Sequence, residues 1–144
     1  MPVRTYDPKL VIVTIGGVPM SGFADGTFVT VERDNDNFSK VSGADGITSR
    51  ARSNDRGGAL TLTLAQTSPM NDVLSGFAKA DELSNAGIVP VRIADLSGST
   101  VLFAAFGWVK KPPAVEFSKE VSNREWVLDL ADLDMRVGGN VVLG

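Results

Sequence analysis

The chain reads as a mainly β protein, an antiparallel β-sandwich or barrel with one α-helix at about 68–81 and a long inter-strand arm at 42–58. Three observations predict this. Apolar and β-branched residues alternate with period two through most of the 144 residues. The breaks between the alternating runs are rich in glycine, 15 in all. One stretch alone follows helical spacing.

In chain order, KLVIVTIGG (9–17) predicts a first strand, and VPMSGF (18–23) pairs back on it across Gly16-Gly17, a pair that permits positive φ. GTFVTVER (26–33) predicts a second clear strand, with Phe28 and Thr30 on one face and Val29 and Val31 on the other. Phe38 and Val41 predict a short continuation. Beyond the arm, ALTLTLAQ (59–66) alternates strictly, with Leu60, Leu62 and Leu64 on one face. In TSPMNDVLSGFAKADELS, Ser68 can cap, Pro69 fits the first helical position, and Asp72 suits the first turn. Met70, Val73, Leu74 and Phe77 then form an i, i+3, i+4, i+7 stripe, and Asn85 and Gly87 stop the helix. Strands resume at 88–96 and 101–109, with a Gly-Ser turn at 98–99 and a rim at KKPP, where prolines cannot donate to a ladder. The last strand starts near Arg124, with Trp126, Leu128 and Leu130 on one face. The apolar phase then changes to Leu133, Met135 and Val137, which predicts a bulge near Ala131. The tail GGNVVLG reads as flexible in isolation. No repeat or linker divides the chain, so residues 1–144 are expected to form one domain.

Composition narrows the chemistry. The chain has no Cys and no His, which removes thiol and imidazole nucleophiles, Ser-His-Asp triads and nearly all zinc sites. A net charge of −3 argues against a dedicated nucleic-acid binder. No segment approaches the roughly 20 apolar residues of a membrane helix, and a soluble, cytosolically made protein is expected. DNDNFSKVSGAD starts like a calcium loop, but Ser39 and Asp45 stand where that loop needs Gly and Glu. Asp129, Asp132 and Asp134 could form a carboxylate pair, yet nothing in the sequence supplies a cleft to separate their pKa values. The glycine clusters lack phosphate-loop spacing, and Lys110-Lys111 is too short for a nucleic-acid footprint. No cofactor and no enzymatic activity are expected.

The arm, SGADGITSRARSNDRGG, holds one large apolar residue, Ile47, and three arginines, Arg50, Arg52 and Arg56. Structureless connections beyond about 12–15 residues are uncommon in compact domains. A solvated loop is the bland reading. Against it, ITSRARS alternates as a hairpin arm does, and arginines form bidentate pairs with carboxylates. In an acidic chain the natural partner is an acidic face of another copy. Ile47, Arg50, Arg52, Asp55 and Arg56 are therefore the candidate inter-subunit residues.

TYDPKLVIVTIGGVPMSGFADGTFVTVERDNDNFSKVSGADG and KKPPAVEFSKEVSNREWVLDLADLDMRVGGN resemble the opening and closing segments of the tail tube proteins of contractile-tailed bacteriophages. That resemblance spans essentially the whole chain and implies a fold shared with type VI secretion tubes. It further implies hexameric rings stacked into a hollow tube inside a contractile sheath, with the arm reaching a neighbouring subunit or ring. The implied partners are other copies of the chain, the tail sheath protein, the tape measure protein, and the baseplate and tail terminator proteins. Genomic DNA would pass through without specific binding, in a virion assembled in the host cytoplasm. An acidic lumen would repel phosphates, and Glu32, Asp129, Asp132 and Asp134 are the candidate lumen acids. A tail terminator, tube initiator or baseplate hub of the same fold is the nearest alternative. A ligand-binding β-sandwich is a more distant one, since aromatics make up only 7% of the residues.

Overall fold

A computed structural model describes residues 3–140 and 142–143. The strands are β1 (Val3–Arg4), β2 (Val11–Ile15), β3 (Val18–Pro19), β4 (Val29–Arg33), β5 (Phe38–Ser42), β6 (Thr48–Arg52) and β7 (Gly58–Ala65). Helix α1 (Met70–Ser84) is followed by β8 (Val89–Asp95), β9 (Val101–Lys111), β10 (Asn123–Leu130), β11 (Leu133–Arg136) and β12 (Val142–Leu143). One antiparallel sheet runs in the order β3-β2-β8-β9-β10-β7-β4, with β11 also paired to β9. Two small ladders, β1 with β12 and β5 with β6, lie outside it.

The sheet rolls around its own apolar face. Residues 20–28 leave β3 at one edge and reach the other, where Ala24 N–H donates to Thr63 O and Ala65 N–H to Gly22 O. The two edges are thereby drawn together without closing a barrel, and a groove lined by Val11, Ile12, Met20, Phe23 and Phe28 remains between them. Inside lie the alternate residues of the central strands, among them Val13, Ile15, Leu60, Leu62, Leu64, Val91, Leu128 and Leu133. Period-two alternation is what permits this, because each strand sends one row inward and the other to solvent.

The helix covers the end of the roll near the β2–β3 turn. Leu74 is fully buried, with Met70, Val73 and Phe77 packed on the core beside it. The Phe77 ring occupies the space a side chain on Gly16 would fill, and Gly16 also holds φ of 61°. Ser68 caps as the sequence predicts, accepting from Met70 N–H at 3.2 Å. The helix runs past the predicted end to Ser84, where Asn85 takes the left-handed conformation that terminates it.

Two expectations are corrected. The bulge predicted near Ala131 is absent. Leu130 faces Gly107 and Leu133 faces Ala104, so equal numbers of residues lie between these pairs on both strands. Two irregularities lie in β9 instead: against β10, Val127 pairs with Lys111 but Leu128 with Val109, and against β8, Val89 pairs with Gly107 but Val91 with Ala104. The extra β9 residue shifts its phase around Ala105–Phe106, both exposed, and the last strand follows its partner. The described part of the tail is also tied down rather than free. Ser99 N–H donates to Gly139 O at 3.0 Å, and Asn140 pairs with Gly98. The remaining tail residues Val141 and Gly144 lie outside the described residues.

Asp95 holds that latch. Its carboxylate accepts from the Ser97 hydroxyl, from Ser97 N–H at 2.9 Å and from Asn140 Nδ2 at 3.0 Å. The Ser97 hydroxyl does most to keep the carboxyl below its usual range; desolvation opposes it, while Ser97 N–H and Asn140 assist. A depressed folded pKa stabilises the fold in full above the unfolded value, about 3.9, and that contribution is lost as pH falls through the folded value. Protection of the amides at 138–140, taken as exchange relative to the unstructured chain at the same pH, should therefore fall in acid, and Asp95→Asn should abolish that acid dependence.

Candidate assembly surfaces

The arm folds into a two-stranded ribbon that starts earlier than its composition suggests. β5 and β6 pair from Phe38 opposite Arg52 to Ser42 opposite Thr48. Every residue of both strands is exposed, so the ribbon rests on nothing in its own chain. An isolated two-stranded hairpin is marginal in water.

Its root is firmly built. Arg33 donates through Nη1 to Asn37 Oδ1 at 2.9 Å and through Nη2 to Leu133 O at 2.8 Å. Asn35 donates to Asp55 Oδ2 at 2.6 Å, so the calcium-like DNDN segment and Asp55 serve as struts. Ser53 N–H closes the ribbon on Asn37 O at 2.9 Å.

The two faces of the ribbon differ. One carries Phe38, Lys40, Ser42, Thr48, Arg50 and Arg52, with Lys40 directly opposite Arg50. The Arg50 and Arg52 guanidiniums lie 4.1 and 5.1 Å from the Phe38 ring centroid, a cation–π stack that holds both cations in place. Like charges facing each other across a ladder destabilise it. None of the three cations forms an ion pair among the described residues. At the tip, Ile47 is 65% exposed and Asp45 uses Oδ1 to accept from Ile47 N–H.

Arg56 stands apart from the ribbon. It lies in the return segment, 3.4 Å from Asp132 and 4.0 Å from Asp134 of its own chain. The four acids singled out in the sequence all belong to the outer surface of the rolled sheet. Glu32 faces Ala59, Ala59 faces Asp129, and Asp129 faces Trp108, one row across four strands. Asp134 lies opposite Phe103, with exposed Asp132 at the step between β10 and β11.

Sequence reasoning missed three participants. Arg33 and Phe38 looked like strand residues, and their roles depend on partners that only the fold brings near. Arg124, expected at a strand start, is buried at 7% exposure at the opposite end of β10 from the ribbon root. Large apolar side chains also remain outside, notably Leu83, Phe106, Phe117 and Val121.

A family model described as Bacteriophage PhiTE tail tube protein matches residues 9–138. Structural protein ORF10 of Pseudomonas phage KPP10 is 32% identical over 144 residues, which cover 94% of this chain and 83% of that protein. Among solved structures, the tube-terminating cap of the anti-feeding prophage superposes with a TM-score of 0.63 at 12% identity, covering 93% of this chain and 92% of that one. The sheath/tube terminator of the extracellular contractile injection system PVC, in its extended state, gives 0.61 at 12%, covering 94% and 99%. A chain of the PVC sheath-tube complex in its extended state gives 0.59 at 11%, covering 92% and 91%. At these identities the structural likeness is one of fold.

Proposed function

The chain belongs to the Bacteriophage PhiTE tail tube protein family, and from that membership we propose that its copies form hexameric rings that stack into the inner tube of a contractile phage tail. The observation that carries the proposal is the ribbon: a cationic hairpin with no contact surface in its own chain. A second copy supplies what it lacks, namely carboxylates for Lys40, Arg50 and Arg52 and an apolar surface for Ile47. Open sheet edges at β3 and β4 add backbone donors and acceptors that a ring satisfies by strand pairing. Repeated head-to-tail contact between identical units does not close, and so yields a filament.

In this arrangement the row Glu32, Asp129, Asp132 and Asp134 lines the lumen and repels DNA during ejection. Arg56 shields part of that charge. The sheath protein surrounds the tube, the tape measure occupies it before ejection, and baseplate and terminator proteins hold its ends. The protein is then a virion component, assembled in the host cytoplasm, with no catalytic role.

One alternative is a single capping ring, because terminators and tube chains share this fold. Electron microscopy of the concentrated protein separates the two. Long tubes with an acidic inner wall are the expected result. Isolated rings would establish the terminator reading, and a persistent monomer or a lumen lined by Lys and Arg would overturn the proposal.

A further inference from the structure

Arg124 is a buried cation without a counter-ion. Nη1 donates to Ser122 Oγ at 2.8 Å and Asn123 O at 3.1 Å, and Nη2 donates to Glu116 O at 2.9 Å. All three acceptors are neutral, and no carboxylate lies within ion-pairing distance among the described residues. Among the described residues Nε has no hydrogen-bond partner, yet none of their side-chain nitrogens sealed from solvent lacks one. That edge of the guanidinium is therefore open to the cavity it lines.

The cavity, about 380 Å³, is walled by Pro112, Pro113, Val115, Phe117 and Trp126. Gln66 also lines it, with Oε1 engaged by Ser122 and its amide nitrogen free to donate. Apolar walls around unused donors suit a carboxylate carried next to an aliphatic group. The guanidinium lies 5.7 Å from the Phe117 ring centroid, and a carboxylate would complete it with a charge-assisted pair beside that ring.

The ribbon tip carries that combination. Asp45 keeps Oδ2 free of protein hydrogen bonds while Oδ1 holds Ile47 N–H, and Ile47 projects into solvent two residues on. Position completes the match. The ribbon is rooted beside Gly58 at the start of β7, whereas the cavity adjoins Gln66 beyond its end. The two features therefore lie at opposite ends of the sheet, roughly 23 Å apart along an eight-residue strand. A protrusion at one end and a socket at the other is the geometry of head-to-tail association.

We propose that Asp45 and Ile47 at the ribbon tip of one copy seat in the Arg124 cavity of the next, Asp45 pairing with the guanidinium and Ile47 packing against Phe117 and Val115. The proposal rests on the tube reading and names the contact that propagates it. The cationic face of the ribbon then runs beside Glu116 and Glu120, which flank Lys119 on the loop over the cavity.

Because the chain has no Cys, single-cysteine variants give a clean test. Ile47→Cys and Val115→Cys proteins are mixed, assembled and mildly oxidised. The expected product is an intermolecular disulfide, with a Ser99→Cys partner as the distant control. In parallel, Asp45→Asn keeps the acceptor that orders the tip but removes its charge, and should raise the concentration needed for assembly about tenfold. Tubes that form normally with cross-linking at the control level, or with no response to Asp45→Asn, overturn the socket and leave the tube intact. Wild-type protein that never assembles overturns both.

Discussion

Excision of the ribbon, with Asn37 joined to Ser53 through a two-residue turn, should leave a folded monomer and abolish tube growth. The monomer survives because the segment contributes nothing to the core: every residue of β5 and β6 is exposed. The graft is also geometrically mild, since Ser53 N–H already bonds Asn37 O at 2.9 Å and the two ends therefore meet. Arg33, whose guanidinium bridges Asn37 and Leu133 O, stays in place below the cut. Thermal unfolding should move by only a few degrees, as expected when about 1 kcal/mol or less is at stake. Assembly, in contrast, loses its protruding half altogether. Sedimentation should show monomer at concentrations where the parent chain forms tubes. Tubes from the excised chain would reduce the ribbon to ornament.

A finer version replaces side chains only. Arg50→Ala with Arg52→Ala removes both cations stacked on Phe38, leaves Lys40, and keeps the ribbon backbone intact. Arg56 belongs outside that set. Its nearest carboxylates are Asp132 and Asp134 of the same chain, so changing it alters the acidic outer face instead of the ribbon.

Much of this was legible from alternation alone. ALTLTLAQ places Leu60, Leu62 and Leu64 inward because each neighbour on a strand must face the other way, and all three are fully buried. The helix was legible because its stripe changes the period. The phase change in the last strand was visible, but its origin was not. The extra residue lies in AAFG of β9, where the inward positions Ala104 and Gly107 are small and the one large side chain, Phe106, faces solvent, so alternation has little to register. The ribbon start at Phe38 was obscured for a related reason. With both faces in solvent, no apolar row marks the pairing, and the register shows only in which residues meet across it. Arg124 was hidden most completely, since its acceptors come from a loop whose path the local sequence does not dictate.

Trp126→Ala should be the most destabilising single change near the socket, by about 3–5 kcal/mol. The side chain is 3% exposed and belongs to the main apolar cluster, so its removal leaves a void that the rolled sheet cannot collapse to fill. It also carries a latch. The indole N–H donates to Asn71 Oδ1 at 2.9 Å, and the amide of Asn71 donates in turn to Ala65 O and Ser68 O, both at 3.0 Å. That one asparagine ties the end of β7 and the start of α1 to β10. Trp126→Phe retains most of the volume but leaves the Asn71 carbonyl without its donor, which costs about 1–3 kcal/mol. The comparison apportions packing and polar terms, and equilibrium denaturation of the monomer measures both. Domains of this kind have only about 5–15 kcal/mol to lose, so the alanine variant removes a large share. If Ala and Phe destabilise equally, the latch rather than the void dominates. If neither moves the midpoint, Trp126 is not packed as the fold requires.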